Sequence, residues 1–249
     1  MKINSVDRAI QILELLSEHP RGLRLTELSA MLDLHPSSLH HIISTLTPYE
    51  YISQDPETKK YSLGFRLLSL GRKVLESIDV RNIAKAHMEE LNRKCNLAVH
   101  LSILKGDKVV YIDKINPGEG LSLVSYPGFS TEAYATSGGK VLLAGLSDEK
   151  LRYLYKDKEL KTYGKRTITK FSDLMIELDK IRKQGYSIDD EEYYEGVRCV
   201  AAPIYAGNML VASVSITGPT FDITIDRINS DLKEMVIACS QTISSKMRW

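Results

Sequence analysis

The residues best suited to chemistry lie close together in one stretch, GYSIDDEEYYEGVRCVAAPI, which runs from Gly185 to Ile204. Four consecutive acidic residues, 189 to 192, precede Arg198 and Cys199, and an apolar run follows. Carboxylates near a thiol are compatible with a metal site, with a catalytic centre built on a nucleophilic cysteine, or with the mouth of a ligand pocket. The rest of the chain must decide among these three.

A metal site is the least supported of these three interpretations. Adjacent residues of a strand point to opposite faces, so four consecutive acids converge on one ion only where the chain turns. The three cysteines, Cys95, Cys199 and Cys239, have no CxxC spacing and cannot all pair with one another, which argues against a zinc knuckle and a disulfide scaffold. We therefore expect no metal and no cofactor.

A catalytic centre would require Cys199 to be a thiolate with a histidine as base, and His100 and His87 are the available candidates. Nothing in the sequence brings either histidine near Cys199, and a cysteine buried in an apolar strand is usually inert. A small-molecule enzyme that uses Cys199 as its nucleophile stays open as the alternative function.

The composition is that of an ordinary globular protein, with 249 residues and 43% apolar content, enough for one large domain or two smaller ones. The formal net charge of +1, from 33 basic and 32 acidic residues, excludes a strong overall field, so a charged partner must meet a local patch. No apolar stretch approaches the roughly 18 residues of a membrane span. We expect a cytoplasmic protein without a membrane partner.

Residues 1–63 predict three short helices followed by a hairpin. Apolar residues at helical spacing indicate the first helix, with Ser5 as its N-cap; Thr26 is a suitable cap for the second helix, and Pro36 suits the first turn of the third. Two β-rich runs around an Asp-Pro-Glu-Thr-Lys turn predict a hairpin with Lys59 and Lys60 near its tip. This order of elements is typical of a winged helix-turn-helix.

The third helix has one apolar stripe and, opposite it, a face of short polar side chains, which suits the DNA major groove. Residues 1–62 carry six basic and eight acidic residues. DNA binding would therefore depend on where the basic side chains lie and on dimerisation. A helical domain that merely has a polar face is the alternative. The predicted DNA-binding residues are Arg8, Arg24, Thr26, Ser37, Ser38, His40, His41, Ser44, Lys59 and Lys60.

The remaining residues predict an α+β architecture. Residues 64–82 form a linker helix whose wide apolar stripe suits dimerisation. Residues 83–249 alternate strands and helices, with LSLVSYPG as one strand, and with VRCVAAPIY and MLVASVSITGP as a central antiparallel hairpin around a Gly-Asn turn. Helices SDEKLRYLY and FSDLMIELDKIRKQG begin with serine caps, and the second ends at Gly185. We expect one antiparallel sheet covered by helices.

Several segments, in this order and spacing, resemble the IclR family of bacterial transcription regulators over essentially the whole chain: SVDRAIQILELL, DLHPSSLHHIISTL, YATSGGKVLLAGLS, GYSIDDEEYYEGVRCVAAPI and ASVSITGP. The resemblance implies a winged helix-turn-helix, a dimerising linker helix and a GAF-like C-terminal domain that binds a small effector. The chain departs from typical members in having SSLHHII, without Arg or Lys, on the recognition helix, and Glu50 where a glycine usually precedes the wing.

Carried over residue by residue, the resemblance implies effector-binding roles for Leu123, Ser137, Gly138, Asp189, Cys199, Ser215 and Thr217. A helix N-terminus of small residues offers N–H groups to an anion, and Ser215 and Thr217 share a strand face. Close helix packing is the alternative role for Gly138, and a satisfied strand hydroxyl is that for Ser215. We expect the other acids of the stretch to pair with Arg198 or to cap backbone.

The predicted function is a ligand-responsive regulator, more often a repressor in this family, that binds double-stranded operator DNA as a homodimer or a dimer of dimers. The expected effector is a small organic or sugar acid whose uptake or catabolism the target genes serve. Besides the Cys199 enzyme, a constitutive architectural DNA-binding protein is an alternative.

Overall fold

The computed structural model describes residues 3–118, 125–156 and 158–247, and the statements below concern those residues. The chain divides into two compact units, Met1–Ser77 and Ile78–Trp249. The break falls between two helices, Arg66–Glu76 and Asp79–Cys95, so residues 64–82 are not the single linker helix that the sequence predicts. Each unit is described by itself.

The first unit has the predicted order of three helices and a hairpin. Its elements are α1 (Asn4–Glu18), α2 (Leu25–Leu32), α3 (Pro36–Leu46), β1 (Ile52–Gln54), β2 (Tyr61–Leu63) and α4 (Arg66–Glu76). One residue from each of the first three helices and from β1 is almost completely buried in a common core, namely Ile12, Leu28, Leu39 and Ile52. The apolar stripes read from the sequence therefore meet in one small core, which confirms the winged helix-turn-helix.

Two predicted helix caps are each wrong by two residues. The N-cap position of α1 is Ile3 and not Ser5, and that of α2 is Arg24 and not Thr26. At α2 the carboxylate of Glu27 accepts a hydrogen bond from the Arg24 backbone N–H at 2.6 Å, so a side chain within the first turn supplies the capping interaction. Pro36 is the first residue of α3, as predicted.

The turn before the wing is tight. Glu50 has a φ of +59°, in the left-handed region that favours glycine. A Cβ atom on Gly64 would lie 1.9 Å from the carbonyl oxygen of Glu50, so only glycine fits at 64. Glu50 thus adopts the strained backbone conformation of this turn, and the absence of a side chain at Gly64 avoids a clash with the Glu50 carbonyl.

The second unit is a six-stranded antiparallel sheet in the order β5-β4-β3-β8-β7-β6 with helices on both faces. In chain order its elements are α5 (Asp79–Cys95), β3 (Ala98–Lys105), β4 (Lys108–Ile115), β5 (Ser130–Glu132), a 3-10 turn (Ala133–Ala135), α6 (Ser137–Ala144), α7 (Asp148–Tyr155), α8 (Phe171–Gln184), β6 (Ser187–Asp190), β7 (Val197–Ala206), β8 (Met209–Pro219), α9 (Ile225–Arg227), a π turn (Ile228–Leu232) and α10 (Lys233–Lys246). This confirms the antiparallel α+β sheet covered by helices.

Several local predictions for this unit are confirmed. β7 and β8 form a hairpin around Gly207 and Asn208, Ser147 caps α7, and α8 ends at Gly185 in a left-handed conformation. Others are wrong. α8 begins at Phe171, so Ser172 lies inside the helix, and the described residues of LSLVSYPG, 125–128, are not a strand. Residues 121–124 of that segment lie outside the described residues.

The two faces of the sheet differ in polarity because the strands alternate. Apolar residues such as Val99, Val200 and Ile216 face α5 and α10 in the larger core. Their neighbours in the sequence point to the opposite face, which α6 covers. Two buried serines of that face donate hydrogen bonds to the start of α6, Ser187 to the Ser137 carbonyl at 2.8 Å and Ser213 to the Gly138 carbonyl at 3.1 Å. The N-terminus of α6 is therefore held against a polar sheet surface.

Candidate functional site

A small cavity lies between this polar sheet face and the N-terminus of α6. The strand register builds its floor: Asp189 on β6 lies opposite Cys199 on β7, Cys199 lies opposite Thr217 on β8, and Ser215 on β8 lies opposite His100 on β3. The cavity encloses about 40 Å³ and is lined by polar and aromatic side chains. That volume has room for roughly three water molecules.

The structure brings together five of the seven residues that sequence reasoning assigned to the effector: Ser137, Asp189, Cys199, Ser215 and Thr217 all line this cavity. Gly138 is not among the lining residues. A Cβ atom there would lie 3.1 Å from Ser213 Oγ, so Gly138 serves the close packing of α6 on the sheet. Leu123 lies outside the described residues.

Sequence reasoning missed the aromatic and histidine part of the lining. His100 Nε2 is 2.8 Å from Ser125 Oγ, and its ring packs edge-on against Tyr111 with centroids 5.1 Å apart. The further lining residues are Phe129, Thr131, Thr136, Tyr193, Tyr194 and Val197. The alternation of β3 predicts that His100 shares a face with Ser102. Its position opposite Ser215, however, depends on strand register, which the sequence does not give.

Burial sets the protonation of the floor. It raises the pKa of Asp189 to about 7; repulsion by Glu192 adds to this, while Lys140 and the Glu192 backbone N–H, which donates to Asp189 Oδ1 at 2.8 Å, act in the opposite direction. Burial also raises the pKa of Cys199 well above its ordinary value, with Asp189 contributing. The pKa of His100 is lowered to about 3, chiefly by burial and also by Lys114, so its ring is neutral.

The loop over the cavity is anchored by a buried lysine. Lys140 on α6 contacts the Glu192 carboxylate and donates to the Ile188 carbonyl at 2.7 Å, and Glu177 on α8 lies 3.8 Å away. The backbone carbonyl of Glu192 accepts hydrogen bonds from Gly164 N–H at 3.0 Å and from Thr167 Oγ1 at 2.5 Å. These contacts hold the turn that carries the cavity-lining Tyr193 and Tyr194.

The other acids of the stretch have structural partners. Asp190 Oδ1 accepts from Arg198 Nε at 2.6 Å, and Glu191 Oε2 accepts from the Gly196 N–H at 2.9 Å, as predicted. Glu192 and Glu195 differ from the expectation, because Glu192 pairs with Lys140 and Glu195 lies 3.5 Å from Lys165, and neither pairs with Arg198. No group of three or more metal-ligating side chains occurs among residues 3–118, 125–156 and 158–247.

The geometry does not favour Cys199 as a nucleophile. At neutral pH the Cys199 side chain is a protonated thiol, because burial raises its pKa, and the thiol is not the reactive form. His100 lines the same cavity, which the sequence did not indicate, and its Nε2 is engaged with Ser125. His87 lies on α5, the helix that covers the opposite face of the sheet.

In the winged unit, eight of the ten predicted DNA-binding residues are exposed, whereas Ser38 and Lys60 are half-buried. The wing turn is ordered by Asp55, whose Oδ1 accepts from the Thr58 N–H at 2.7 Å. Hydrogen bonds from the backbone and the side chain of Thr58 lower the pKa of Asp55. Lys59 follows with a φ of +57°. None of the helices described is long and apolar enough to cross a bilayer.

Two family profiles match the chain. Residues 5–56 match the IclR helix-turn-helix domain, and residues 72–245 match the bacterial transcriptional regulator IclR C-terminal domain. This chain belongs to the IclR family of transcriptional regulators. It is 36% identical over 245 residues to the HTH-type transcriptional regulator XynR of Escherichia coli strain K12, covering 97% of each chain. The relatives are transcriptional regulators, so this IclR-family chain is not an enzyme.

Solved structures support the same assignment. The crystal structure of Thermotoga maritima IclR has a TM-score of 0.81 and 30% identity, with 99% of each chain covered. An IclR homologue from Microbacterium hydrocarbonoxydans, solved in complex with 4-hydroxybenzoate, shares the fold with a TM-score of 0.82 at 19% identity, covering 97% of this chain and 100% of that one.

Proposed function

We propose that this chain represses genes for the uptake or catabolism of a small organic or sugar acid, and that it senses that acid in the cavity under α6. The observation that carries the proposal is the row of Asp189, Cys199 and Thr217, with Ser215 beside it, which faces a helix N-terminus in the same chain as a winged helix-turn-helix.

An acid suits the chemistry of the cavity. Thiol and hydroxyl groups on the floor and the N-terminal turn of α6 offer hydrogen bonds to carboxylate and hydroxyl oxygens. The complex of the Microbacterium homologue with 4-hydroxybenzoate is an example of an acid bound by a protein of this fold. Since the cavity encloses about 40 Å³, we expect effector binding to displace neighbouring side chains such as Tyr193 or Tyr194. This displacement is the conformational event that we expect to reach the winged unit.

DNA recognition falls to α3 and the wing. The exposed face of α3 offers short hydrogen-bonding side chains, among them His40, His41 and Ser44, to base edges and phosphates. We expect Lys59 and Lys60 in the wing to contact phosphates. The winged unit has few basic residues. A homodimer or a dimer of dimers would present two winged units to a palindromic operator and so double the contacts. The domain limits proposed for these roles are 1–63, 64–82 and 83–249.

The effector is tested by a thermal-shift screen of sugar acids, glyoxylate, pyruvate and aromatic acids, followed by gel-shift titration of the gene's upstream DNA with each acid that binds. We expect one acid to stabilise the chain and to weaken operator binding. Thr217→Val should reduce that response, and Ser245→Ala, on the exposed side of α10, should retain it.

Two outcomes contradict the proposal. An architectural DNA-binding protein would bind DNA and ignore every metabolite of the screen. A chain whose operator affinity is unchanged by a bound acid would not be a ligand-responsive regulator.

A further inference from the structure

The described lining of the cavity under α6 offers an acid no cationic side chain, although we propose that the cavity binds one. Among the described residues that line it, none is an arginine or a lysine, and its histidine, His100, is neutral. Lys140 on α6 is not among the lining residues, and it already contacts Glu192 and the Ile188 carbonyl. The ammonium group of Lys114 donates to the Ser125 carbonyl at 3.1 Å.

Asp189 is the ionisable group at the centre of this environment. The titratable groups that line the cavity with it or act on it are Cys199 on β7, His100 on β3, Tyr111 on β4, Lys140 on α6, and Glu192, Tyr193 and Tyr194 in the covering loop. Lys114 on β4 lies beside His100 and Ser125, and Glu177 on α8 lies 3.8 Å from Lys140. Lys140 is the cation that acts on Asp189, and it already contacts Glu192. An ionised Asp189 therefore competes with Glu192 and Glu177 for one ammonium group.

A carboxylate ligand placed beside an ionised Asp189 would be a second unpaired negative charge in a buried site. Such a pair is strongly unfavourable at low dielectric, and the usual resolution is that one of the two carboxyl groups holds a proton. The ligand's carboxylate, with an ordinary pKa near 4, releases its proton more readily than Asp189 does. The proton is therefore retained on Asp189.

We propose that a carboxylate effector enters this cavity together with one proton, which Asp189 takes from solvent. Asp189 Oδ1 accepts the Glu192 N–H, and the carboxylate also interacts with the Tyr193 N–H and the Cys199 thiol. Once protonated, the neutral carboxyl group donates a hydrogen bond to the effector. This inference rests on the proposed function of the cavity. It makes Asp189 the residue that selects an acid bearing a single negative charge, since a second carboxylate would find no further proton.

Proton uptake has a measurable consequence. In the free protein Asp189 is half-ionised near pH 7, because its pKa is about 7. Above that pH the protonated form becomes scarcer by about tenfold per pH unit, and effector affinity should fall by the same factor. Below about pH 6 the affinity should be constant, while the effector remains ionised.

A thermal-shift panel of gluconate, pyruvate, glyoxylate and 4-hydroxybenzoate first identifies the monocarboxylate that stabilises the full chain most. The test is calorimetric titration of the full chain with that monocarboxylate. Each titration is run from about pH 6 to about pH 8.5 in two buffers of different ionisation enthalpy, which counts the protons exchanged. We expect uptake that approaches one proton per ligand at the highest pH. Asp189→Asn, whose amide also donates, should bind with less than about a twofold change across the range. Glu195→Gln, an exposed acid of the same loop, should behave as the wild type.

The possible failures are distinguishable. Binding of an acid with a flat pH profile and no proton uptake overturns the proton coupling and leaves the proposed function standing. If no acid binds, the acid-sensing role of the cavity fails, and the coupling fails with it. If Asp189→Asn does not fold, the wild-type slope and proton count decide the question. If Asp189→Asn folds and keeps the tenfold slope, another group takes up the proton.

Discussion

Replacing Lys140 by methionine would test whether its buried ion pair with Glu192 holds the loop that covers the cavity in place. The Lys140 side chain is 1% exposed and that of Glu192 is 9% exposed. Methionine keeps most of the apolar stem but removes the ammonium group. The carboxylate of Glu192 would then be buried without its partner, and the Ile188 carbonyl would lose the hydrogen bond that it accepts at 2.7 Å.

The expected magnitude follows from this loss. Removing one partner of a buried ion pair costs about 3–5 kcal/mol of unfolding free energy, because the remaining charge is desolvated without compensation. The double variant Lys140→Met/Glu192→Gln has no such charge, so we expect it to be about 2 kcal/mol more stable than Lys140→Met alone. The two residues should thus show a clear coupling energy.

The loss of stability should also depend on pH. Burial raises the pKa of Glu192, while Lys140 lowers it, so removing Lys140 raises that pKa further. A carboxyl group whose folded-state pKa lies above its unfolded value binds protons more tightly in the folded state. The Lys140→Met variant should therefore regain stability relative to the wild type as the pH falls from about 8 towards about 5, and should lose it again as the pH rises through the raised pKa.

The assay is urea unfolding of the full chain, followed by hydrogen exchange of the amides in α6 and β6, since a chain of two units need not unfold in one step. Lys180→Met is the matched control: its side chain is 62% exposed and lies 3.7 Å from Glu177. We expect a change within about 0.5 kcal/mol for this control. The anchoring role of Lys140 is refuted if Lys140→Met costs no more than Lys180→Met, or if the double variant is no more stable than Lys140→Met.

Further predictions concern the wing and the cavity. Gly64→Ala should destabilise the winged unit by about 3 kcal/mol or more in thermal melting, since its Cβ would lie 1.9 Å from the Glu50 carbonyl oxygen; an unchanged melting curve would contradict the turn geometry. Glu50→Gly should stabilise the same unit by about 0.5–1 kcal/mol by relieving its positive φ, and a destabilised variant would be the opposite result. Cys199→Ser should leave operator affinity intact and alter only the effector's effect on it, as measured by gel shift. Alanine at Lys59 and Lys60 should reduce the salt dependence of DNA binding by about 0.9 in logarithmic slope for each phosphate that the variant no longer neutralises, without changing sequence preference.

Local patterns in the sequence were sufficient for much of the fold. Pro36 marked the start of α3, Gly185 the left-handed end of α8, and the Gly-Asn turn the β7–β8 hairpin, because backbone chemistry at those positions permits few alternatives. The caps at Ser5 and Thr26 were wrong: α1 begins after Ile3, which makes no side-chain cap, and at α2 the Glu27 carboxylate accepts from the Arg24 N–H. Where the helix begins depends on how its apolar face packs, and a suitable side chain alone does not decide it.

The candidate site shows the same division. The sequence by itself determined that Ser215 and Thr217 share a face, because side chains on a strand alternate with a period of two. Only the tertiary structure decided that His100 lies opposite Ser215 and that Lys140 pairs with Glu192, 52 residues later. Strand register and helix docking join segments that are remote in the chain, and no local periodicity encodes which residues they bring together. The charge on Asp189 depends on those remote neighbours and on burial, so its chemistry belongs to the folded protein.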